Sequence, residues 1–387
     1  MKKRIFLVAG MLAIISTLLV ACSEKKDDSN SGENNLGPKL EGSTDDPKET
    51  KELQKLYQDA IKELADTDEK LVVWAGGDAP NQQKDLENAF KTRFPEVPIE
   101  VKVDLSKFHD IKINEQLKNH NLQPDVAMLQ TTHDFDAWKK QNQLYAYKPI
   151  GFNKQRPNYA DQDGYYITGM INTFLPEVSK KVGEVESYED FLKPAFKDKL
   201  ILTYPHDDDA VLYVYDKIIE KYGDEYLEKL KNQNPTFLRG TAAPAEIVAK
   251  GSYKDKEYIG NLTGYAQMPK SDANSFVPKE DPFITWTQRA GMFEQTKHKA
   301  AAKLFLSFIS SKEYQSSGQI WATRTDLKPM NSYKELDAYQ NTDFNDFAKW
   351  MSDRKHIEDL KQKMIDYFGE VEGESPLTDK ELLKIVD

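Results

Sequence analysis

Lys70-Leu71-Val72-Val73-Trp74-Ala75-Gly76-Gly77-Asp78-Ala79-Pro80 is a short apolar run that stops at a glycine turn, and Leu86, Phe90 and Phe94 follow at helical spacing. The reading is strand, tight turn and helix, since a buried strand needs continuous apolar residues and a helix needs them every three to four positions. Working outward, Ile99 to Val103 alternates apolar and charged residues as a second strand does, and Ile111 to Leu117 fits a helix. Asp125-Val126-Ala127-Met128-Leu129 is a third buried strand. It ends in Gln130-Thr131-Thr132-His133, ahead of a helix carrying Phe135, Trp138 and Leu144. Strands alternating with helices place the chain in the α/β class with a largely parallel sheet. Ligands of such sheets lie beyond the carboxyl ends of the strands.

The same grammar returns later in the chain. Lys199-Leu200-Ile201-Leu202-Thr203 reads as a strand, Tyr204-Pro205-His206-Asp207-Asp208-Asp209 as its turn, and Leu212, Tyr215, Ile218 and Ile219 as one face of a helix. A second α/β lobe follows from this. Between the two halves, Gly164 to Phe174 is extended and β-rich, suited to crossing from one lobe to the other, with an edge strand of a single domain as the alternative. Leu53, Leu56, Tyr57, Ile61 and Leu64 describe a short added helix before the first strand. Ala300 to Ile309 reads as a helix packed closely on a sheet, and Phe347, Trp350, Met351, Ile357, Leu360, Met364 and Phe368 as a core-facing helix or helix pair.

Ahead of all this, Lys2, Lys3 and Arg4 precede 17 uncharged residues, Ile5 to Ala21, and then the chain's one cysteine, Cys22. Leu19-Val20-Ala21-Cys22 resembles the bacterial lipobox. That resemblance implies cleavage before Cys22, a diacylglycerol thioether on its sulfur, and a mature protein tethered to the outside of the cell membrane. The alternative is an uncleaved membrane span with an incidental thiol. Ser23 to about Asp46 is polar and reads as a flexible stalk. A single cysteine allows no disulfide within the chain, so its body depends on its core. Roughly 320 residues after the stalk fit two lobes.

Net charge is −11, and removal of the three leader cations takes it to about −14. An acidic body without an arginine-rich tract excludes phosphate backbones and anionic headgroups as partners. Catalytic signatures are also missing: the sequence has no Gly-x-Ser-x-Gly, no Gly-x-x-x-x-Gly-Lys and no His-Glu-x-x-His. A carboxylate-pair glycosidase remains open, because 64 acidic residues leave many possible pairs. A surface adhesion module is the other alternative.

The order of segments resembles the extracellular solute-binding proteins of ABC importers, in the ferric-ion-type branch of the type II periplasmic-binding fold. Pro124-Asp125-Val126-Ala127-Met128-Leu129-Gln130 is similar to that family's PDV strand, and Phe191 to Leu200 to its L.P.wKgKi segment. Ala300 to Ser311 is similar to its eAAklFldfllS helix, and Arg324-Thr325-Asp326-Leu327-Lys328-Pro329 to its R.DvkP turn. The resemblance implies a two-lobed fold with hinge strands and C-terminal helices. It divides the chain into a signal peptide at 1–21, a tether at 22–47, a helical extension at 48–68, lobe 1 at 69–172 and 284–387, and lobe 2 at 173–283. It also implies a non-catalytic, monomeric receptor without a cofactor, which closes on a solute and delivers it to a membrane permease driven by an ATPase.

Candidate ligand residues sit at strand ends. His206, Asp207 and Asp208 form the most polar such turn, read either as ligand contacts or as helix caps. Arg239 ends a short strand before a helix start, where it serves an anionic group or pairs with the 207–209 aspartates. Gly77 and Asp78, and Thr131 and Thr132, end first-lobe strands, though glycine turns also serve the bend alone. Trp286 offers an aromatic wall at the return crossover. Ferric-binding relatives use an adjacent tyrosine pair late in the second lobe; here Tyr165-Tyr166 falls in the hinge, and Tyr253, Tyr258 and Tyr265 are scattered. A small polar solute is therefore favoured over ferric ion, with a zwitterion or an organophosphate matching both the acidic turn and Arg239.

Overall fold

The computed structural model describes residues 35–183, 185–266, 270–330 and 333–386. Cys22 and the leader lie outside these residues. Helix α1 (Pro47–Leu64) is followed by β1 (Leu71–Gly76), α2 (Lys84–Arg93), β2 (Ile99–Asp104), α3 (Ser106–Lys118), β3 (Val126–Leu129) and α4 (Thr132–Lys140). Then come β4 (Ile167–Ser179), β5 (Ile201–Thr203), α5 (Asp209–Tyr222), α6 (Glu225–Asn232), β6 (Thr236–Leu238) and α7 (Ala242–Lys250). A small hairpin, β7 (Ser252–Tyr253) and β8 (Lys256–Glu257), precedes β9 (Gly260–Tyr265), β10 (Ala273–Ser275) and β11 (Ile284–Met292). Helices α8 (Lys299–Ser310), α9 (Lys312–Ser316), α10 (Asp346–Ser352), α11 (Arg354–Phe368) and α12 (Lys380–Val386) follow. None of the described helices is long and apolar enough to cross a membrane.

Strand β1 pairs in parallel with β2 and with β3, as the sequence grammar requires. The sheet is nevertheless mixed. β11 lies antiparallel between β3 and β4, and β4 takes β9 and β10 antiparallel beyond it, giving seven strands in one sheet. The physical reason is the chain path: β4 leaves the first lobe and β11 comes back beside it, so the two crossing strands run in opposite directions. Strand β4 is buried at all but one of its 13 positions, which a strand covered on both faces must be. In the second lobe, β5 and β6 form a separate parallel pair that α5 and α7 follow.

The first core gathers β1, β3, α2 and α8, with the Phe90 ring against Phe94, Phe305 and Phe308, and Phe94 also against Phe308. Helix α1 belongs to it. Asp46 caps its start, accepting from the Lys48 and Glu49 amides, Pro47 occupies its first turn, and Leu53, Tyr57, Ala60 and Leu64 are buried. The buried Arg324 guanidinium ties Glu49 of α1 at 2.8 Å. The expected helix through Leu144 stops at Lys140, and Leu144 is buried beyond it in a bridge to Phe293.

Two expected boundaries change. Residues 36–46 are not free tether. The Gly37 amide donates to the Arg93 carbonyl (2.9 Å), Leu40 to Glu313 (3.1 Å) and Thr44 to Ser316 (2.7 Å), because a buried Arg93–Glu313 ion pair presents polar partners along that path. Nor does all of the segment after residue 284 stay with lobe 1: α8 does, but α10 and α11 do not. Phe347, Trp350, Met351, Ile357, Leu360 and Met364 pack into the second core beside Tyr213 and Leu212. Their apolar stripe finds its mate on α5, and the Trp350 indole donates to Asp216 at 2.7 Å.

Helix α1 is thus a structural part of the first lobe. Leu53→Ala should lower unfolding free energy by about 2–5 kcal/mol in urea titration. An unchanged midpoint would show that α1 is detachable.

Candidate functional site

Strand ends from both lobes converge on one chamber, of about 590 Å³ counted out to its open mouth. Gly77 and Asp78 follow β1, Ser106 and Lys107 follow β2, and Gln130 and Thr131 follow β3. From the second lobe, Asp207, Asp208 and Asp209 follow β5, and Thr241 follows β6. The crossing strands supply the floor. Trp286 of β11 lies directly opposite Asn172 of β4, and Phe174 and Gln288 are each two residues further along, so all four side chains share one face. Trp286 and Phe174 have ring centroids 4.2 Å apart, with Tyr265 of β9 beside them.

The lobes touch across this chamber. Asp78 Oδ2 accepts from the Thr241 backbone amide and, at 2.8 Å, from its hydroxyl. Gly240, at φ +76°, makes that approach possible: a Cβ there would lie 3.2 Å from Asp78 Oδ2 and 3.0 Å from Pro376. Lys107 Nζ donates to the Asp207 carboxylate (2.5 Å) and carbonyl (2.6 Å). Gln130 Nε2 reaches Asp208 Oδ1 at 3.4 Å, and its oxygen accepts from the Trp286 indole at 3.2 Å.

Of the residues singled out from sequence, Gly77, Asp78, Thr131, Asp207, Asp208 and Trp286 line the chamber. Thr132, His206 and Arg239 do not. Thr132 is wholly buried at the start of α4, with its carbonyl accepting from Arg289 at 2.5 Å. His206 turns its ring toward Tyr204, with centroids 5.6 Å apart, and burial lowers its pKa. Arg239 grips Asp207 with Nε at 2.8 Å and Nη2 at 3.1 Å, and its Nη1 reaches the Gly373 carbonyl at 3.3 Å. Its fork is spent inside the protein, so the anionic-ligand role expected as one option gives way to the ion pair. Tyr165 and Tyr166 also stay away, in a separate apolar cluster with Phe135 and Trp138.

The three aspartates of the 207–209 turn have separate jobs. Burial pushes the Asp207 carboxyl up, but hydrogen bonding from Arg239 and the Lys107 ammonium outweigh it and leave its pKa below the usual value. Asp208 caps α5, accepting from the Ala210 amide at 2.7 Å and the Val211 amide at 3.1 Å. Burial raises its pKa to about 6, with the Val211 amide opposing and the Asp78 charge adding. Asp209 pairs with Lys361 of α11 at 3.1 Å. No group of three or more His, Cys, Asp or Glu among the described residues is arranged to hold a metal.

Sequence reasoning missed Lys107, Gln130, Asn172, Phe174, Tyr265, Gln288 and Thr241. Lys107 and Thr241 were within reach of the strand-end rule applied to β2 and β6. Asn172, Phe174 and Gln288 needed the β4–β11 register, after which two-residue periodicity places them beside Trp286.

Residues 121–350 match the family model for bacterial extracellular solute-binding proteins. No curated protein sequence matches the chain. Among solved structures, the substrate-binding protein of an ABC transporter from Agrobacterium tumefaciens is similar with a TM-score of 0.65 at 13% identity, covering 80% of this chain and 96% of that one. AfuA from Actinobacillus pleuropneumoniae, with fructose-6-phosphate bound, gives 0.62 at 16% identity, over 78% and 99%. Iron-bound HitA from Pseudomonas aeruginosa gives 0.59 at 14%, over 76% and 99%. At these identities the likeness is one of fold.

Asp208→Asn keeps the cap and removes the charge, so it separates the two. The folded wild type holds its Asp208 proton up to about pH 6, whereas the unfolded chain loses it near the ordinary value of about 4. Ionising the folded group therefore costs stability as pH rises through that window. The Asn variant should gain on wild type between pH 4 and 7 by on the order of 1–3 kcal/mol, read from urea midpoints. A constant difference would place the Asp208 pKa at its ordinary value.

Proposed function

This chain belongs to the bacterial extracellular solute-binding proteins of the ABC transporter family, and from that premise we propose that it is the lipid-anchored receptor of an importer. It is extracytoplasmic and non-catalytic, a substrate-binding protein rather than a hydrolase. In the proposed cycle a small polar solute enters between the lobes, the lobes close on it, and the closed form docks on a permease driven by a separate ATPase.

One observation carries the binding part of this reading: polar strand ends from both lobes, with an aromatic floor from the crossing strands, meet in a single chamber. The contacts Asp78–Thr241 and Lys107–Asp207 support closure, since both bridge the lobes and must break for the mouth to open. Neighbours of this fold hold iron or fructose-6-phosphate, so fold alone leaves the cargo open. The pairing of Arg239 with Asp207 weakens the organophosphate and zwitterion readings, because no free guanidinium faces the chamber among the described residues. For ferric ion, Tyr265 is the only tyrosine lining the chamber among the described residues. Its hydroxyl donates to Asn172 at 2.6 Å, and burial raises its pKa away from the tyrosinate form.

Anchoring rests on Cys22 and the residues before it. Cells fed labelled palmitate should label the wild-type protein and not Cys22→Ala, which should be retained as an unprocessed or released form. Label on the variant would remove the lipobox reading. Binding is tested by thermal shift: a solute at a hundred times its Kd adds about 2.7 kcal/mol of stability. A solute panel that moves the melting temperature nowhere would count against the receptor reading.

A further inference from the structure

We propose that the solute taken by this chamber is an organic cation, one bearing a protonated amine or a similar positively charged nitrogen group, together with an apolar or ring portion. This inference rests on the receptor reading above and names its substrate class.

The charge inventory comes first. Four aspartates line the chamber, Asp78, Asp207, Asp208 and Asp209. Three cations reach them: Lys107 and Arg239 both bind Asp207, and Lys361 binds Asp209. Asp78 and Asp208 are left without a cation, on facing lobes. Each uses only one carboxylate oxygen within the protein: Oδ2 of Asp78 holds Thr241, and Oδ1 of Asp208 holds the α5 cap and Gln130. Their other oxygens accept no hydrogen bond from the described residues. An ammonium brings the donors and the charge that such a pair lacks. An anion would meet the reverse. Lys107 is the one cation lining the chamber among the described residues, and Asp207 already holds it twice.

A second and independent observation points to a ligand in the same space. Three polar side chains on the chamber wall are almost fully buried yet have an atom without a partner: the Thr131 hydroxyl (residue 2% exposed), Gln288 Oε1 (4%) and Asn172 Nδ2 (2%). Native proteins rarely leave such atoms unsatisfied, because each costs about 1–3 kcal/mol when desolvated without a partner. Gln288 Oε1 adds an acceptor for an N–H donor. Asn172 Nδ2 asks for one acceptor on the solute, such as a hydroxyl or carbonyl oxygen. Trp286 and Phe174 complete the match, since indole and phenyl faces favour both cationic nitrogen and the apolar carbon attached to it.

The test is isothermal titration of the full-length protein in mild detergent against three arms of small solutes. The cationic arm holds agmatine, spermidine and choline, the anionic arm fructose 6-phosphate and citrate, and the neutral arm glucose. Saturable binding is expected in the cationic arm. Asp78→Asn and Asp208→Asn, which preserve the Thr241 contact and the helix cap, should each weaken it about tenfold or more without moving the circular dichroism spectrum. Binding confined to the anionic or neutral arm overturns the cation assignment and leaves the receptor standing. Cation binding that both Asn variants retain in full also overturns it, because the charge would then lie elsewhere. Silence in all three arms overturns the assignment and the receptor reading together.

Discussion

The antiparallel pairing of β4 with β11 is the constraint on which the rest of the structure hangs. From Ile284 opposite Phe174 to Ala290 opposite Ile167, the two strands run side by side between the lobes, with one irregularity at Gln288/Arg289. They are buried on both faces, so most of their length is apolar, and this makes a continuous ladder across the molecule. Polar residues inside such a ladder need partners. Asn172 accepts from Tyr265, Gln288 donates to the Gly76 carbonyl at 3.3 Å, and each keeps one buried atom without a partner on a residue that lines the chamber. The strands that join the lobes therefore also form the floor on which a solute rests. A hinge and a binding surface built from the same backbone move together.

Asp207 is the second organising point. It binds Arg239 within its own lobe in a two-pronged pair, and it binds Lys107 from the opposite lobe. The first contact fixes the β5 and β6 turns against each other. The second is a lobe-to-lobe contact at the chamber's edge. Because Asp207 absorbs both cations, its neighbours Asp78 and Asp208 keep their charge uncompensated, and the character of the chamber follows from that allocation.

Much of the fold was legible in the sequence because local pattern and global role agree there. Apolar runs of four to six residues at 71–76 and 126–129 became parallel strands, and the helical stripes at 47–64, 209–222 and 299–310 became core helices. The misassignments lie where composition and contact part company. Residues 36–46 are polar and read as stalk, yet backbone amides at Gly37, Leu40 and Thr44 find acceptors on the body. The stripe of α10 and α11 faces a core, as its spacing requires, but periodicity cannot say which core.

By itself the sequence determined the α/β class, the strand-to-helix turns, and six chamber-lining residues, because a strand end before a helix carries a local signature of apolar run, turn and cap. Tertiary structure decided three things that no local pattern encodes. It set the register of β4 against β11, which brings Asn172, Phe174, Trp286 and Gln288 onto one face. It chose the partner of Arg239, which lies 32 residues from Asp207 along the chain and one hydrogen bond away in space. It also brought Asp78 and Thr241, 163 residues apart, into contact. Each of these depends on pairing between distant segments, and charge compensation is a property of such pairs. The type of site was written in the chain; its electrostatic sign emerged only when the chain folded.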